Sequence, residues 1–448
     1  MQVSTAAFQP LFEGVKQYVV PLFQRSYSWT KREWDTLWND LSDLYENDNP
    51  RSHYMGSIVT MPTQSVPEGV TKYSIIDGQQ RITTLYILLL VISDLLKERG
   101  EDKNSEMVRN TYLVNPYYEG RDNLKILPTH VERHIFTQLV QMGYKEHKDS
   151  GMVSAYLYFR RKLCNNIDLE KLISIVTKKL LVVSIVLESN DNPYAVFESL
   201  NYKSKQLTVA DLIRNYVFMK IHVDEQEDIY RRLWEPMQSS LGDALPEFVR
   251  HYLMMSGEDV KKDDVYGLLK ERIDTSGVTD FLRSLSCYAV YYAKLLYPER
   301  EKSEKVKRQL AIINRLEVST AYPFLMNCYN DYANDTITEQ QFLQVLYTIE
   351  NYIVRRFVCT FPQIYSQMQR IETGDYVTNL QRVLQSKNYP KDYAFVDGIK
   401  TAKLYGPGDR VKKTKIILER LEESFCHKER GHFEELTIEH IMPRTLSS

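Results

Sequence analysis

Between residues 15 and 90 the hydrophobic positions change period several times, which predicts a mixed α/β region. "YVVPLF" (18–23) reads as a short strand broken by Pro21, which suits a sheet edge. In "WTKREWDTLWNDLSDLY" (29–45), Trp34, Leu37, Trp38, Leu41 and Leu44 recur at helical spacing. Thr30 with Glu33 three residues on forms a capping-box pattern at its start. "HYMGSIVT" (53–60) and "KYSIID" (72–77) read as strands, and a helix is expected from residues 82–84 to Arg99, stopped by Gly100. Residues 101–175 read as mostly helical. "KKLLVVSIVLES" (178–189) is one more buried strand, rich in β-branched residues.

Beyond it the pattern is helical almost throughout. "LTVADLIRNYVFMK" opens on Thr208 with Asp211 three residues on, and "LRSLSCYAVYYAKLLY" and "QQFLQVLYTIENYIVRRFV" are long amphipathic runs. The expected class is therefore α+β, with a mixed domain over 1–220 and a helical domain over 221–400. A basic linker and tail, set off by the loop "GPGDR", fill 401–448. The long helical surfaces after residue 200 suit a homodimer.

Composition narrows the function classes. The chain has 448 residues, 43% of them apolar, and a net charge of −2, so basic surface for nucleic acid has to be local. The basic stretch "KLYGPGDRVKKTKIILER" offers Arg410, Lys412, Lys413 and Lys415 for DNA contact; the plainer alternative is a solvated helix face. The 32 tyrosines suit helical packing better than base stacking. Five dispersed cysteines without a CxxC argue against zinc and disulfides and fit a reducing cytoplasm. No basic-then-apolar leader opens the chain, and "LYILLLVI" and "LLVVSIV" are short for a bilayer span, so a cytoplasmic protein is expected.

The candidate chemistry lies in "IIDGQQRITTL" (75–85), where a strand hands over to a helix. Free N–H groups and the dipole at such a helix start favour an anion, commonly phosphate. Gly78 permits close approach, and Arg81 can hold phosphate oxygens in a fork. Asp77 can hold Mg²⁺ or orient a water, Gln79 and Gln80 can bond a base, sugar or water, and Thr83 and Thr84 add hydroxyls. No GxxxxGK[ST] occurs, so this is not a P-loop. The plainer alternative is a polar turn in which Asp77 caps the helix and Arg81 is ion-paired. Three more polar clusters sit at element ends: Gln24–Arg25, Gly56–Ser57, and the run of Glu198, Asn201, Lys203, Lys205, Asp211 and Asn215.

In order, "VPLFQRSYSW", "HYMGSIV", "IIDGQQRITTL" and "FESLNYKSKQLTVADLIRNY" resemble the N-terminal domain of GmrSD-type, modification-dependent (type IV) restriction proteins, a domain described as ParB/sulfiredoxin-like. The resemblance covers roughly residues 10–220. It implies binding and hydrolysis of a nucleoside triphosphate with Mg²⁺ or another divalent ion, coupled to sensing or cutting modified phage DNA. Asp77, Gln79, Gln80 and Arg81 would then be catalytic, with Asp77 also a metal ligand. Gln24, Arg25, Gly56, Ser57, Gly78, Thr83, Thr84, Asn201 and Lys205 would hold the nucleotide. A non-catalytic ParB-like nucleotide or DNA switch is the alternative.

"LTIEHIMPRTLSS" resembles the opening of the same proteins' His-Me finger (HNH-type) nuclease domain. This implies His440 as general base, Glu439 as its orienting or metal-near partner and Pro443 as the turn. The sequence ends at Ser448, before the asparagine and the further histidine or asparagine that complete that unit, so the nuclease motif is incomplete here. "HVERH" (130–134) lacks the HExxH order of a zinc protease and reads instead as a Thr129–Glu132 capping box. Cys164, the first cysteine, lies outside the boxes, which argues against sulfiredoxin-type thiol chemistry.

Overall fold

The computed structural model describes the chain except residues 48–50, 64–68, 143–149, 165–166, 189, 202–207, 360–375, 387, 407–409, 426–436 and 439–448. The chain divides into two units, Met1–Tyr230 and Arg231–Ser448.

The first unit is built on a six-stranded mixed sheet in the order β1-β6-β3-β4-β2-β5. Its strands are β1 (Gln2–Ala7), β2 (Lys16–Val19), β3 (His53–Pro62), β4 (Thr71–Asp77), β5 (Ile126–Leu127) and β6 (Leu180–Val186). β4 runs parallel to β2 and antiparallel to β3, so the end of β4, opposite Val59 of β3, lies toward the same end of the sheet as the end of β2. Two strands, β1 and β5, go beyond the sequence pattern. β1 is short and exposed and carries no alternation, while β5 has only two residues.

Alternation along the central strands sorts the side chains between two cores. Ile58 and Ile75 face the larger core, and their neighbours Val59 and Ile76 face the smaller one. The larger core is covered by helices α1 (Phe8–Phe12), α2 (Lys31–Glu46), α3 (Gln79–Glu98), α4 (His130–Met142), α5 (Gly151–Leu163) and α6 (Leu169–Lys178). The smaller core takes side chains of α7 (Pro193–Asn201) and α8 (Val209–Met219). The capping boxes expected at Thr30–Glu33 and Thr208–Asp211 are both formed.

Helix α3 is apolar on every side because it is buried on every side: Leu85 through Ile92 are all 0% exposed. It starts at Gln79, several residues earlier than the hydrophobic pattern suggested, because Gly78 rather than a polar cap breaks the strand. By length and composition it is also the one helix, among the described residues, apolar enough to cross a membrane, and 89% of that window is buried within the fold.

The second unit is helical throughout its described residues, with α9 (Val278–Leu296), α10 (Glu304–Arg315), α11 (Tyr322–Ala333), α12 (Glu339–Val358) and α13 (Arg410–Ser424) as main elements. Its tyrosines knit the helices together: Tyr291 stacks on Tyr329 and Tyr332 on Phe342, while Tyr292 meets Tyr322 edge-on. A mixed sheet followed by a helical remainder makes the fold α+β.

Candidate functional site

The DGQQR stretch folds as the turn from β4 into α3. Asp77 ends the strand opposite Val59 of β3. Gly78 takes φ +93°, and a Cβ there would lie 3.0 Å from the Ser57 carbonyl oxygen and 3.1 Å from Ile58 Cγ1. Only glycine meets both demands, the left-handed backbone and the close approach of β3. Across from it β3 is irregular between Tyr54 and Ser57, and Gly56 takes φ +96°. The Arg81 guanidinium lies over Gly56: Nη1 donates to the Ser57 carbonyl at 2.8 Å and sits 3.6 Å from Asp77 Oδ2. That separation in a part-exposed pair is a weak ion pair. No side chain caps α3 and no acid lies in its first turn.

The FQR stretch is brought onto this turn. After β2 ends at Val19, residues 21–30 continue beside β4 as an irregular strap held by side chains. The Gln24 amide donates to the Ile75 and Ile76 carbonyls at 2.7 and 2.9 Å, completing the β4 edge where β2 has stopped. Gln79 Nε2 donates to the Arg25 carbonyl at 2.9 Å. Gln80 grips the strap with both ends of its amide: Nε2 donates to the Ser26 carbonyl and Oε1 accepts the Ser28 N–H at 2.8 Å. The two boxes that stand about fifty residues apart in sequence are therefore one hydrogen-bonded unit.

Residues outside the predicted set complete the strap. Arg214 of α8 donates through Nε to the Phe23 carbonyl and pairs with Asp211 at 2.6 Å. The Phe23 ring stacks on Phe218. The Tyr27 hydroxyl bonds Thr84 at 2.7 Å and accepts from Trp34 Nε1 at 2.8 Å, and the Tyr27 N–H donates to Glu132 Oε1 at 2.8 Å. Arg214 is missed by sequence reading because helical periodicity places it on an apolar face; the signal available was an arginine inside "DLIRNY".

One side chain of the strap is left over. Among the described residues, the Arg25 guanidinium has no hydrogen bond or ion pair, and its charge acts on Arg214. Burial pushes the Arg214 guanidinium below its ordinary range, Asp211 opposes this, and Arg25 adds to the push. An anion beside these two cations would relieve that repulsion. Three buried polar atoms, Gln79 Oε1, Ser28 Oγ and Asn215 Oδ1, also have no partner among the described residues.

The other predicted residues are distributed as follows. Thr83 and Thr84 are buried in the first turns of α3, and Thr84 also bonds the Gln80 carbonyl. Asn201 ends α7, and Lys203 and Lys205 lie outside the described residues, as do Glu439, His440 and Pro443. The basic run of α13 does not form one solvated face. Lys412 pairs with Glu317, and Lys413 is 3% exposed with its ammonium over the Phe357 ring, because that side of α13 packs into the unit. Arg410 reaches the Lys403 carbonyl and Lys415 is half-buried.

Among the described residues no group of three or more His, Cys, Asp or Glu side chains converges. Asp77 therefore fits a divalent ion only as a lone carboxylate ligand to an ion that arrives with phosphates, a common pattern for Mg²⁺. His130 and His134 belong to no such group. Thr129 instead donates its hydroxyl to Glu132 Oε2 at 3.0 Å, a bond between side chains at the helix start, without the two backbone N–H bonds of the expected capping box. Burial raises the Glu132 carboxyl, opposed by the bonds from Tyr27 and Thr129.

The family model for the N-terminal domain of the GmrSD restriction endonuclease matches residues 8–218, the span that contains strands β2 to β6, the DGQQR turn and the strap. No curated protein matches the chain. Members of a restriction family act on DNA, which makes DNA the partner implied for this chain. Residues 8–218 thus match the N-terminal domain of the GmrSD restriction endonuclease, which supports reading the chain as a GmrSD-type restriction protein.

Proposed function

We propose that the first unit binds a nucleoside triphosphate at the junction of the DGQQR turn and the strap, and hydrolyses it to regulate restriction of modified phage DNA. The observation that carries this reading is Arg25: a cation without a partner among the described residues, fixed by its own carbonyl to the uncapped start of α3. Phosphate oxygens would take the first-turn N–H groups of α3 and the forks of Arg25 and Arg81. Asp77 stands at the edge of the turn, where a carboxylate can orient the water that attacks the terminal phosphorus as the bond to the diphosphate breaks. Mg²⁺ would supply charge neutralisation on the phosphates, with Asp77 as its protein ligand.

A second reading, a non-catalytic nucleotide- or DNA-binding switch, is favoured by one observation. The amides of Gln79 and Gln80 are engaged on the strap, which gives them a scaffolding role in place of contact with reacting atoms.

The test is phosphate release by the 448-residue chain with Mg²⁺ and each of the four NTPs, with and without DNA, beside Asp77→Ala, Arg81→Ala and Arg25→Ala. Hydrolysis predicts release by the wild type that Asp77→Ala abolishes while nucleotide still binds. Binding without release, lost in the arginine variants, would replace the hydrolase with the switch. Neither release nor binding of nucleotide or DNA by a folded protein would refute both.

A further inference from the structure

The position of Arg25 depends on the chain around it. On its N-terminal side, Phe23 is held by Arg214 and Phe218; at Arg25 itself, the carbonyl is held by Gln79. On its C-terminal side the backbone is held by Gln80 at Ser26 and Ser28, and at Tyr27 by a carboxylate from a different helix. That carboxylate, Glu132, comes from "HVERH", a stretch that has no metal-binding geometry and no other assigned role.

Both Glu132 oxygens are used. Oε2 takes the Thr129 hydroxyl and belongs to the start of α4, while Oε1 takes the Tyr27 N–H across a sequence separation of 105 residues. The first is a local bond between side chains within one turn of the helix start. The second does nothing for α4. It satisfies a strap N–H that has no strand partner, and it is a charge-assisted bond, the strong kind. The Tyr27 side chain is fixed separately, through Thr84 and Trp34, so Glu132 controls the backbone and not the ring.

We infer that Glu132 is a positioning residue for the anion site: it ties α4 to the strap at Tyr27 and thereby holds Arg25 ready for the phosphates of the nucleotide. This rests on the nucleotide-binding reading above. A strap that must be ordered on binding draws its ordering cost from the affinity, whereas a strap already ordered does not. Removing the tether therefore weakens nucleotide binding and leaves the turnover step, which Glu132 does not touch, unchanged.

The experiment compares wild type, Glu132→Ala, Glu132→Gln, Glu132→Asp and Thr129→Ala. Two readouts are taken: nucleotide affinity (Kd by titration, and KM against kcat where phosphate is released), and hydrogen exchange of the Tyr27 amide. Glu132→Ala should bind nucleotide roughly tenfold more weakly with kcat little changed, the size expected for one charged hydrogen bond. Its Tyr27 amide should exchange faster. Glu132→Gln keeps an acceptor and should recover most of the affinity. Thr129→Ala removes the local hydroxyl bond but not the tether, so it should lower Tm while leaving affinity and Tyr27 protection intact. If Glu132→Ala does not fold, Glu132→Asp, one methylene too short for Tyr27, carries the same expectation of weaker binding. Wild-type affinity in Glu132→Ala or Glu132→Asp with Tyr27 deprotected would overturn the inference and leave the nucleotide site standing. Equal loss of affinity in Thr129→Ala would reduce Glu132 to a helix cap. A wild type that binds no nucleotide removes the earlier reading, and this one falls with it.

Discussion

Replacing Gly78 by alanine tests whether the turn owes its form to close packing of backbone on backbone. Two costs add. The left-handed φ of +93° strains any residue with a Cβ, by about 1–2 kcal/mol. The added methyl would then meet the Ser57 carbonyl oxygen at 3.0 Å, Ile58 Cγ1 at 3.1 Å and Ile58 Cα at 3.2 Å. Two of these three atoms are backbone of a central strand and cannot swing aside, so overpacking contributes about 1–3 kcal/mol more. The sum, about 2–5 kcal/mol, corresponds to a fall in Tm of roughly 5–15 °C for a unit of this size. Tryptophan fluorescence during thermal or urea unfolding is the assay, because Trp29, Trp34 and Trp38 all lie in the first unit and only Trp234 lies in the second. Gly56→Ala is the control. Its Cβ would meet the flexible Arg81 side chain at 3.3 Å, so only the backbone strain of about 1–2 kcal/mol applies. A Tm for Gly78→Ala within about 2 °C of wild type, or no lower than that of Gly56→Ala, would refute the packing argument.

Arg25→Ala should leave stability within about 0.5 kcal/mol of wild type, since the side chain has no partner among the described residues, while nucleotide affinity falls at least roughly tenfold; equal affinity in a binding titration would remove Arg25 from the site. In the second unit, His251 is fully buried, bonds the Tyr292 hydroxyl at 3.0 Å and lies 3.3 Å from Glu247. Burial pushes its pKa down to about 4, opposed by Glu247 and aided by Arg250. A depressed histidine stabilises the fold in its neutral form, so that contribution is whole above pH 6.5 and is lost as pH falls toward 4. Urea midpoints followed through Trp234 should drop across that window in wild type and drop less in His251→Gln. Arg420 gives 2.7 Å hydrogen bonds to both carboxylate oxygens of Glu350 and to Gln309, tying α13 to α12 and α10. Arg420→Met leaves Glu350 buried without its cation and should cost about 3–5 kcal/mol, most of it recovered in the Arg420→Met/Glu350→Met double variant; no recovery would show that the loss comes from packing.

Much of this protein is legible from local pattern. The strands at 53–60, 72–77 and 178–189, the capping boxes at Thr30 and Thr208, and the polar turn at DGQQR follow from periodicity and cap chemistry, which act over a few residues. The family resemblance is likewise carried by short runs of sequence, and the domain match over residues 8–218 agrees with it. What the glutamines do was not legible. An amide in a polar turn can face a ligand or a carbonyl, and only the return of residues 21–30 alongside β4 decided that Gln24, Gln79 and Gln80 hold the strap. The fate of the charges was equally nonlocal. Lys413 and Arg420 look solvated in a basic run, yet packing against α10 and α12 turns them inward, and Arg25 looks no different from Arg81 until the fold gives Arg81 a carbonyl and a carboxylate and leaves Arg25 unmatched among the described residues. Sequence determined which elements form because hydrogen-bonded turns and strands are specified by neighbours. Tertiary structure decided which polar groups remain for a ligand, because that depends on partners from 24 to 191 residues away.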